Sequence, residues 1–378
     1  MLHYPLVTIV TPSYNQGQFI EATIQSVLNQ NYPNLEYLII DGGSSDNTLE
    51  IIKKYDGKLK WISEKDKGQS DAINKGFKMA SGEIVAWLNS DDTYEPGAIE
   101  AAVKYFEAHK DVALVYGEGD IIDREGNKVK RFIGTQAFDL WTLIHMSDYI
   151  MQPATFFKRD ALYSVGYLEE KLNWCMDWDL WIKLASKHEV GYINQVLANS
   201  REYEDTKTST GGWKRFRELV SLMRKHGNMK YPPGYFFYGA DTLYTQLNHR
   251  PFVLKVVSKV INIFLKYMHK KLPIQYSDGW VGKEYRINLI GNKKIDFTIM
   301  PDIATILPLK IKIYSDGQLY KKLTIDHAES TEVSVEVQGS DQLHEIRVIA
   351  NKTVIPAQID RNSRDSRQLS VRIANKIS

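Results

Sequence analysis

The first third of the chain alternates short apolar runs with amphipathic segments. The apolar runs are Leu6–Val10, Leu35–Ile40, Leu59–Ile62, Ile84–Leu88 and Val112–Val115. Between them, apolar residues recur every three or four positions in Gln18–Asn29, Asp46–Tyr55, Ser70–Met79 and Pro96–His109. Strands that alternate with helices in this way predict a parallel sheet with helices on both faces. We therefore expect an α/β domain with a mostly parallel central sheet.

The rest of the chain predicts two further parts. A turn-forming cluster, Tyr231–Gly234, suggests that the α/β domain covers 1–235. A helical linker over 236–275 follows, and its basic amphipathic segment Pro251–Lys271 fits either a helix on anionic lipid or one packed on the main domain. Short β-type runs over 276–378 predict a small β-sandwich-like domain.

Composition and charge narrow the function classes. Hydrophobic residues make up 43% and charged residues 25% of the chain, as in ordinary folded proteins. The net charge of +2 gives no basic field for nucleic acid, so we expect no nucleic-acid partner. Cys175 is the only cysteine, which excludes an internal disulfide and favours a reducing compartment. With no membrane span or signal segment in sight, we expect a cytoplasmic protein.

Polar loops follow the first three predicted strands. Thr11, Pro12 and Tyr14 end the first strand, where a tyrosine ring can stack on a base. Asp41 ends the second and precedes two glycines that allow close approach of a ligand, and Asp66 follows the third. Ligands bind at the carboxyl ends of parallel strands, so these residues are candidates for nucleotide binding. Each loop also fits an ordinary turn.

Adjacent carboxylates end the fourth strand, at Asp91 and Asp92 within the segment Asn89–Asp92. Neighbouring carboxylates repel each other unless a cation neutralises them. Their oxygens suit Mg²⁺ or Mn²⁺, which bind diphosphates through few protein contacts. This pattern predicts a metal site, although a turn leading into the next helix would also explain it.

Asp177 lies among bulky apolar side chains at the start of a predicted helix. Apolar neighbours raise the pKa of a carboxyl group towards the range of a general base. Trp174 and Trp178 flank it and offer faces on which a sugar can stack. The alternative is that Asp177 only caps the helix.

Together these segments resemble the family 2 glycosyltransferases, which have the GT-A fold. The matching stretches are Val7–Asn15, Asp41–Thr48, Asp66–Gly68, Asn89–Asp92 and Asp177–Trp181, over roughly residues 5–225. The resemblance implies that Thr11, Tyr14, Asp41 and Asp66 hold the nucleoside. It also implies that Asp91 and Asp92 form the DxD-type motif, with Asp92 as the main metal ligand, and that Asp177 is the base.

The chain departs from the family pattern at three positions. Met176 stands where relatives carry the first acid of an acidic pair, Asn89 replaces the first DxD acid, and Tyr203 replaces a histidine. Arg201 and Lys207 remain candidates to neutralise the diphosphate. Gln152 resembles a residue that faces the acceptor, and we group it with Trp174 and Trp178 as acceptor-site candidates.

The expected activity is an inverting glycosyl transfer. The donor would be a nucleotide-diphosphate sugar, usually UDP-linked, and the acceptor a hydroxyl of a glycan or lipid-linked molecule in surface-polysaccharide synthesis at the inner membrane face. A sugar nucleotidyltransferase is disfavoured because Thr11–Gly17 contains no Arg or Lys. A carbohydrate-binding protein with a non-catalytic transferase-like domain is the other alternative. The C-terminal domain would bind glycan, pair subunits or dock to a membrane complex.

Overall fold

The computed structural model describes residues 4–132, 134–203, 211–227, 229–247, 280–281, 284–290, 293–301, 307–327, 329–339, 343–352 and 371–377. The chain forms two compact units. The first is Met1–Phe138 with Ser147–Lys230, and the second is Asp139–Met146 with Tyr231–Ser378. The predicted basic helix Pro251–Lys271 and the candidate Lys207 lie outside the described residues.

One large sheet organises the first unit. Its strands are β1 (Val7–Ser13), β2 (Leu35–Asp41), β3 (Lys60–Ser63), β4 (Ile84–Trp87), β5 (Thr93–Tyr94), β6 (Val112–Ile122), β7 (Lys128–Arg131), β8 (Thr155–Lys158) and β9 (Glu189–Arg201). The order is β3-β2-β1-β4-β8-β6-β9-β5, with β7 beside β6. Strands β3, β2, β1 and β4 are parallel, and so are β6 and β9, while β8 runs antiparallel to both neighbours. The predicted α/β class is confirmed.

The strand order reverses direction at β1. The chain builds β2 and β3 on one side of β1 and then returns to place β4 on the other side. In open α/β sheets, ligands bind at such a switch point, beyond the carboxyl ends of the strands. The nucleotide- and metal-site candidates lie at the carboxyl ends of β1 and β2 and in the loops after β1, β3 and β4.

Nine helices are described along the chain. They are α1 (Ile20–Leu28), α2 (Thr48–Lys53), α3 (Gln69–Met79), α4 (Ala98–Ala108), α5 (Leu140–His145), α6 (Arg159–Val165), α7 (Met176–Ala185), α8 (Gly212–Gly227) and α9 (Pro233–Leu247), with a 3-10 turn at Gln152–Ala154. Helix α7 packs through Trp181, whose ring stacks on Trp87 of β4 at 5.3 Å between ring centres. Both faces of β4 are covered, which explains its uninterrupted apolar sequence.

The second unit contains the C-terminal β domain. Its strands are β10 (Trp280–Val281), β11 (Glu284–Ile290), β12 (Lys293–Met300), β13 (Leu309–Ser315), β14 (Gln318–Ile325), β15 (Thr331–Val337), β16 (Leu343–Ala350) and β17 (Val371–Ile377). They form two four-stranded sheets, β10-β17-β12-β15 and β11-β16-β13-β14. Phe297 of one sheet and Ile311 of the other belong to the same buried core. This is the sandwich-like domain that the sequence predicts.

Helix α5 belongs to this second unit, although the sequence places it inside a continuous first domain. Its apolar residues are buried, and the Arg286 guanidinium of β11 lies 4.8 Å from the centre of the Trp141 ring. Asp139 caps the helix by accepting a hydrogen bond from the Thr142 N–H at 2.9 Å. A short apolar helix needs a surface to bury it, and a contact so distant in sequence leaves no local pattern.

Candidate active site

The loops after β1 and β2 are joined to each other by polar contacts. The Asn15 N–H donates to Ser44 Oγ at 2.8 Å, and the Ser45 N–H donates to Asn15 Oδ1 at 2.8 Å. The Gly17 N–H donates to Asp46 Oδ2 at 3.0 Å. The small polar residues that follow Asp41 therefore bind two loops into one surface at the edge of the sheet.

Asp41 organises its own loop. It is fully buried, and its Oδ2 accepts hydrogen bonds from the N–H groups of Gly43 and Ser44 and from the Ser63 hydroxyl at 2.6–3.0 Å. Gly43 has φ of 85°, a left-handed conformation that favours glycine. The structure thus shows a loop-forming role for Asp41, and its contact with a nucleoside stays a prediction.

Asp66 lies directly against this loop. A Cβ added to Gly42 would stand 2.4 Å from Asp66 Oδ2, so only glycine permits this approach. Asp66 is half-buried, and its Oδ1 accepts a hydrogen bond from the Gly68 N–H at 2.8 Å. Asp66, in the loop after β3, therefore lies against the residue that follows Asp41, the last residue of β2.

The three candidates at the carboxyl end of β1 differ in accessibility. The Thr11 side chain is fully buried, and its hydroxyl lies 3.1 Å from the Tyr37 hydroxyl, while Pro12 is also buried. The Tyr14 side chain is 61% exposed at the edge of the site. Among these three, Tyr14 is the one with a ring face available to a base.

Asp91 and Asp92 lie in the loop after β4, at the switch point. Asp92 is buried, and its Oδ1 accepts a hydrogen bond from the Arg201 N–H at 3.0 Å while its Oδ2 accepts one from Asn89 Nδ2 at 3.2 Å. Asp91 is half-buried, and its Oδ2 accepts a hydrogen bond from the Tyr203 hydroxyl at 3.1 Å. The more accessible carboxylate of the pair is Asp91.

Electrostatics make this pair a suitable place for a cation. Burial raises the pKa of both carboxyl groups, and the charge of Asp91 contributes to raising that of Asp92 to about 8. Two such carboxylates hold their negative charge best beside a positive ion, and Mg²⁺ or Mn²⁺ commonly binds one or two carboxylates plus substrate phosphates. Over the described ranges, no group of three or more His, Cys, Asp or Glu side chains converges as a complete metal site. The donor set therefore fits a metal shared with a diphosphate.

Arg201 is part of the framework of this site. Its side chain is buried, with Nε donating to the Asp91 carbonyl and a terminal nitrogen donating to the carbonyls of Asp123 and Arg124, each at 2.8 Å. The guanidinium also lies 4.9 Å from the centre of the Phe19 ring. These contacts occupy the group that the sequence assigns to the diphosphate.

Gln152 adjoins the same loop. Its Oε1 accepts a hydrogen bond from Asn89 Nδ2 and its Nε2 donates to the Trp87 carbonyl, both at 2.9 Å. Asn89 is therefore a junction between the carboxylate pair and the segment that the sequence assigns to the acceptor.

The first two residues of α3 connect the carboxylate loop to α7. Gln69 Nε2 donates to Asn89 Oδ1 at 2.9 Å, and the Ser70 hydroxyl contacts Met176 Sδ at 2.8 Å. Asp177, the second residue of α7, is half-buried and its Oδ1 accepts a hydrogen bond from the Trp178 N–H at 2.8 Å. The candidate base thus begins a helix that is tied through α3 to the metal-site candidate.

Two acids hold the region around Asp177. Glu218 Oε1 of α8 accepts hydrogen bonds from the N–H groups of Asn173, Trp174 and Cys175 at 2.6–3.1 Å. Asp179 is fully buried and accepts from His226 Nε2 at 2.8 Å and from Lys225 Nζ at 3.0 Å. Burial alone would raise the pKa of Asp179, but these hydrogen bonds outweigh it and hold that pKa well below its usual range. Both acids join α7 to α8.

The two tryptophans of the predicted acceptor site have different positions. Trp174 is half-buried, whereas Trp178 is 1% exposed. A ring in the core cannot stack on a sugar, so the placement of Trp178 disagrees with the predicted acceptor contact. Eight of the ten residues of α7 are buried, so the helix is enclosed on most of its sides, which explains this burial.

Sequence reasoning missed several residues of the site. Arg124, on the β6–β7 hairpin, is exposed and its guanidinium lies 5.7 Å from the centre of the Tyr203 ring. Gln69 contacts Asn89 but received no role, although it directly follows the Asp66–Gly68 stretch. Arg124 comes from a segment without a motif, where the only signal is a polar residue next to an element boundary.

Comparison with known proteins adds to this geometry. The model for glycosyl transferase family 2 matches residues 8–163. An uncharacterized glycosyltransferase of Rickettsia typhi is 30% identical over 218 residues, which cover 54% of this chain and 67% of that protein. The chain belongs to glycosyl transferase family 2. As a member of this family it is a glycosyltransferase, as its sequence predicts.

Other relatives of this family 2 glycosyltransferase are much longer. The chondroitin synthase of Escherichia coli is 31% identical over 198 residues, which cover 52% of this chain but only 29% of that protein.

Among solved structures, S. aureus TarS in complex with UDP-GlcNAc is 18% identical, with a TM-score of 0.49, covering 66% of this chain and 76% of that one. The mannosyltransferase PcManGT from Pyrobaculum calidifontis, in complex with GDP-Man and Mn²⁺, is 21% identical, with a TM-score of 0.49, covering 68% and 74%.

Over the described part of the chain, no helix is both long and apolar enough to span a bilayer.

Proposed function

We propose that this glycosyltransferase moves a sugar, with inversion, from a UDP-linked donor to a hydroxyl of a growing glycan or lipid-linked acceptor. The observation that carries the proposal is the chain of contacts from the β4 loop to α7. Asn89 contacts Asp92, Gln152 and Gln69, and the residue after Gln69 contacts Met176, next to Asp177. Acids suited to a metal and an acid suited to a base are thereby held on one framework.

The donor nucleoside is assigned to the surface made by the β1, β2 and β3 loops. Tyr14 offers an exposed ring on which a base can stack, and Asp66 lies against Gly42 at the edge of the same surface. Thr11, Pro12 and Asp41 support this surface from within. A uridine base follows from the family resemblance.

We assign Asp91 as the carboxylate that binds a divalent ion, and Asp92 as a supporting residue. The reason is accessibility, because both oxygens of Asp92 already accept hydrogen bonds from Arg201 and Asn89 whereas Asp91 is half-buried. When bound, Mg²⁺ or Mn²⁺ offsets the charge that develops on the departing diphosphate. We assign a supporting role to the exposed guanidinium of Arg124, since Arg201 is engaged with backbone carbonyls.

Asp177 is assigned to the acceptor side as the general base. It removes the proton of the acceptor hydroxyl while the oxygen attacks the anomeric carbon and the diphosphate leaves with the bonding electrons. Trp174, half-buried and close to Asp177 in sequence, is the ring that we assign to acceptor stacking, and we also assign Gln152, which is hydrogen-bonded to Asn89, to the acceptor. An attack opposite to the leaving group inverts the configuration.

The acceptor class follows from relatives. Chondroitin synthases of Escherichia coli and Pasteurella multocida and a hyaluronan synthase of Pasteurella multocida match about half of the chain. These names describe synthesis of sugar polymers, which supports a glycan acceptor. A cytoplasmic location, a peripheral position at the inner membrane face and pairing of subunits through the C-terminal domain stay predictions from the sequence.

The deciding experiment measures donor binding and transfer separately. A panel of UDP- and GDP-linked sugars is titrated with and without Mn²⁺ into wild type, Asp91→Asn and Asp177→Asn, with the exposed Asp160→Asn as control. We expect Asp91→Asn to lose the Mn²⁺-dependent part of binding, and Asp177→Asn to bind the donor normally but lose transfer about 100-fold or more. Wild-type binding without any transfer or donor hydrolysis would favour the non-catalytic carbohydrate-binding alternative.

A further inference from the structure

Helix α8 is amphipathic, and its outer side is exposed. Four of its apolar side chains are buried, namely Leu219, Val220, Leu222 and Met223. The exposed residues recur every three or four positions, so they form one row along the opposite side of the helix. This exposed row, which we call the α8 row, consists of Trp213, Lys214, Arg217, Ser221 and Arg224.

The α8 row is positively charged, and the helix itself does not balance this charge. Glu218 is the only acid in Gly212–Gly227, and its Oε1 is occupied by backbone N–H groups that precede α7. Over the residues that the structure describes, Lys214 and Arg217 take part in no ion pair. Two exposed cations without acidic neighbours favour an anionic partner from outside the chain.

Trp213 gives the row an apolar end. Its side chain is 42% exposed, and the Phe216 ring packs against it edge to face, with 5.5 Å between ring centres. An exposed indole leaves a large apolar surface in water, whereas a bilayer interface buries the ring among lipid headgroups, where tryptophan is enriched. Lysine and arginine residues close to a membrane are attracted by anionic headgroups. The composition of the row therefore matches an anionic lipid surface.

The shape and polarity of the row favour a bilayer over a carbohydrate. From Trp213 to Arg224 the row runs about 16 Å along the outside of a single helix. Small ligands such as sugars are held in concave sites by precisely placed polar groups, and Ser221 is the only neutral hydroxyl in the row. A bilayer surface requires no groove, and the long stems of Lys214 and Arg217 can extend to its headgroups.

The row begins beside the residue that we assign to acceptor stacking. A Cβ added to Gly211, just before α8, would stand 2.7 Å from Trp174 Nε1. The Trp174 N–H also donates to Glu218 Oε1 of α8 at 2.6 Å. Trp213 follows Gly211 by two residues, so the apolar end of the row lies at the end of α8 that contacts Trp174.

We propose that the α8 row is a docking surface for an anionic lipid bilayer, with the Trp213 ring at the interface and Lys214 and Arg217 against anionic headgroups. Docking in this way brings the Trp174 end of α8 to the bilayer, where a lipid-linked acceptor is available. The choice of a lipid-linked acceptor rests on the proposed function, whereas the docking itself does not.

Vesicle binding tests the docking surface on the full chain. Vesicles of equal parts phosphatidylglycerol and phosphatidylcholine are compared with vesicles of phosphatidylcholine alone, by co-sedimentation at low and high ionic strength. We expect binding to the anionic vesicles only, and we expect salt to weaken it. Lys214→Gln combined with Arg217→Gln should reduce the affinity about 10-fold or more, because each cation at an anionic surface contributes about 5-fold.

The matched control is Lys58→Gln combined with Lys110→Gln. It removes the same charge from two exposed lysines at the amino ends of β3 and β6. Its affinity for anionic vesicles should stay within about 2-fold of wild type. If the α8 variant binds these vesicles as tightly as the control variant, the proposal is wrong.

Fluorescence quenching tests the position of Trp213. Brominated phosphatidylcholine in the anionic vesicles quenches an indole that lies at the interface. We expect it to quench part of the tryptophan fluorescence of wild type and of Trp61→Phe, a control that removes a half-buried ring of β3. Trp213→Phe should lose this quenching. The same quenched fraction in Trp213→Phe and wild type would overturn the placement of Trp213.

Two other partners for the row give different results. Binding to the acidic polysaccharide alginate that depends on Lys214 and Arg217, without vesicle binding, would assign the row to an acidic glycan. A sedimentation coefficient that falls in Trp213→Ala, without vesicle binding by wild type, would assign it to a second copy of the chain. Either result would contradict docking on lipid.

The docking surface and the proposed function fail in different ways. If Asp177→Asn retains transfer while the α8 variant loses vesicle binding, the base assignment is wrong and the docking surface stands. If Asp177→Asn loses transfer while the α8 variant binds vesicles like wild type, only the docking surface is wrong.

Discussion

The Tyr203 hydroxyl donates a hydrogen bond to Asp91 Oδ2 at 3.1 Å. The Tyr203 ring packs against Phe19, with 5.2 Å between ring centres, and Arg124 lies over the same ring. The family resemblance implies a histidine at this position, where this chain has a phenol that donates to a carboxylate. The exchange makes Asp91 dependent on a neutral donor.

Removing this donor should weaken metal binding. In Tyr203→Phe the Asp91 carboxylate loses a hydrogen bond that favours its charged form, so its pKa rises and protons compete better with the metal. We expect Mn²⁺ affinity in the presence of UDP to fall about 3- to 10-fold, the equivalent of one hydrogen bond. Isothermal titration calorimetry measures it, and Tyr55→Phe, on the α2 side of the unit, serves as control. Equal affinity in Tyr203→Phe and wild type would show that the hydroxyl does not influence the site.

Metal binding should strengthen as pH rises. The pKa of Asp92 is raised to about 8 in the metal-free chain, so the folded protein holds a proton there that the unfolded chain has released. The contribution of this group to stability is therefore present at low pH and is lost as pH rises through about 8, unless a cation offsets the charge. We expect Mn²⁺ to raise Tm more near pH 8 than near pH 6, and this difference to shrink in Asp92→Asn. Thermal melts in Mn²⁺ and in chelator measure it.

The contact between Gly42 and Asp66 predicts a donor-specific defect. In Gly42→Ala the new Cβ would stand 2.4 Å from Asp66 Oδ2 and would push that side chain away from the nucleoside surface. We expect UDP affinity to fall about 5-fold or more while the free energy of unfolding changes by less than about 1 kcal/mol, because the end of a side chain can move. Asp66→Asn should show a similar loss. If UDP binds Gly42→Ala as tightly as wild type, Asp66 is not a nucleoside contact.

Substitution of Glu218, a residue of α8, should affect both stability and sugar transfer. Its Oε1 accepts three backbone N–H groups just before α7, so Glu218→Ala would leave them without this acceptor and loosen the start of the helix that carries Asp177. We expect a loss of about 1–3 kcal/mol in the free energy of unfolding and a lower kcat, with UDP affinity unchanged. Glu218→Gln retains a carbonyl acceptor and should recover most of the stability. A Glu218→Ala variant with wild-type stability would contradict the anchoring role.

Local sequence predicted the elements near the site well. The apolar runs at Leu35–Ile40 and Ile84–Leu88 correspond to β2 and β4. Such patterns are readable because side chains repeat with the period of the strand or helix they occupy. The acids at strand ends could also be predicted as site candidates. The same alternation predicts a parallel sheet, and the carboxyl ends of parallel strands meet at one edge of that sheet.

Contacts between segments that are distant in the chain could not be predicted from the sequence. From the sequence alone, Tyr14, Trp178 and Arg201 were equally plausible site residues. The structure distinguishes them, because Tyr14 is exposed, Trp178 is buried and the guanidinium of Arg201 is engaged with backbone carbonyls. The assignment of α5 to the C-terminal unit depends in the same way on Arg286, far away in sequence.

The amino-acid order by itself determined the alternation of strands and helices, the acids at the ends of β2 and β4 and the family. These follow from local periodicity and from motifs of adjacent residues. The tertiary structure decided which carboxylate of the Asp91–Asp92 pair is accessible, and that the Trp178 ring is buried. Burial and proximity arise only when distant segments pack, and they set the protonation of each acid, so the roles of these groups depend on the folded chain.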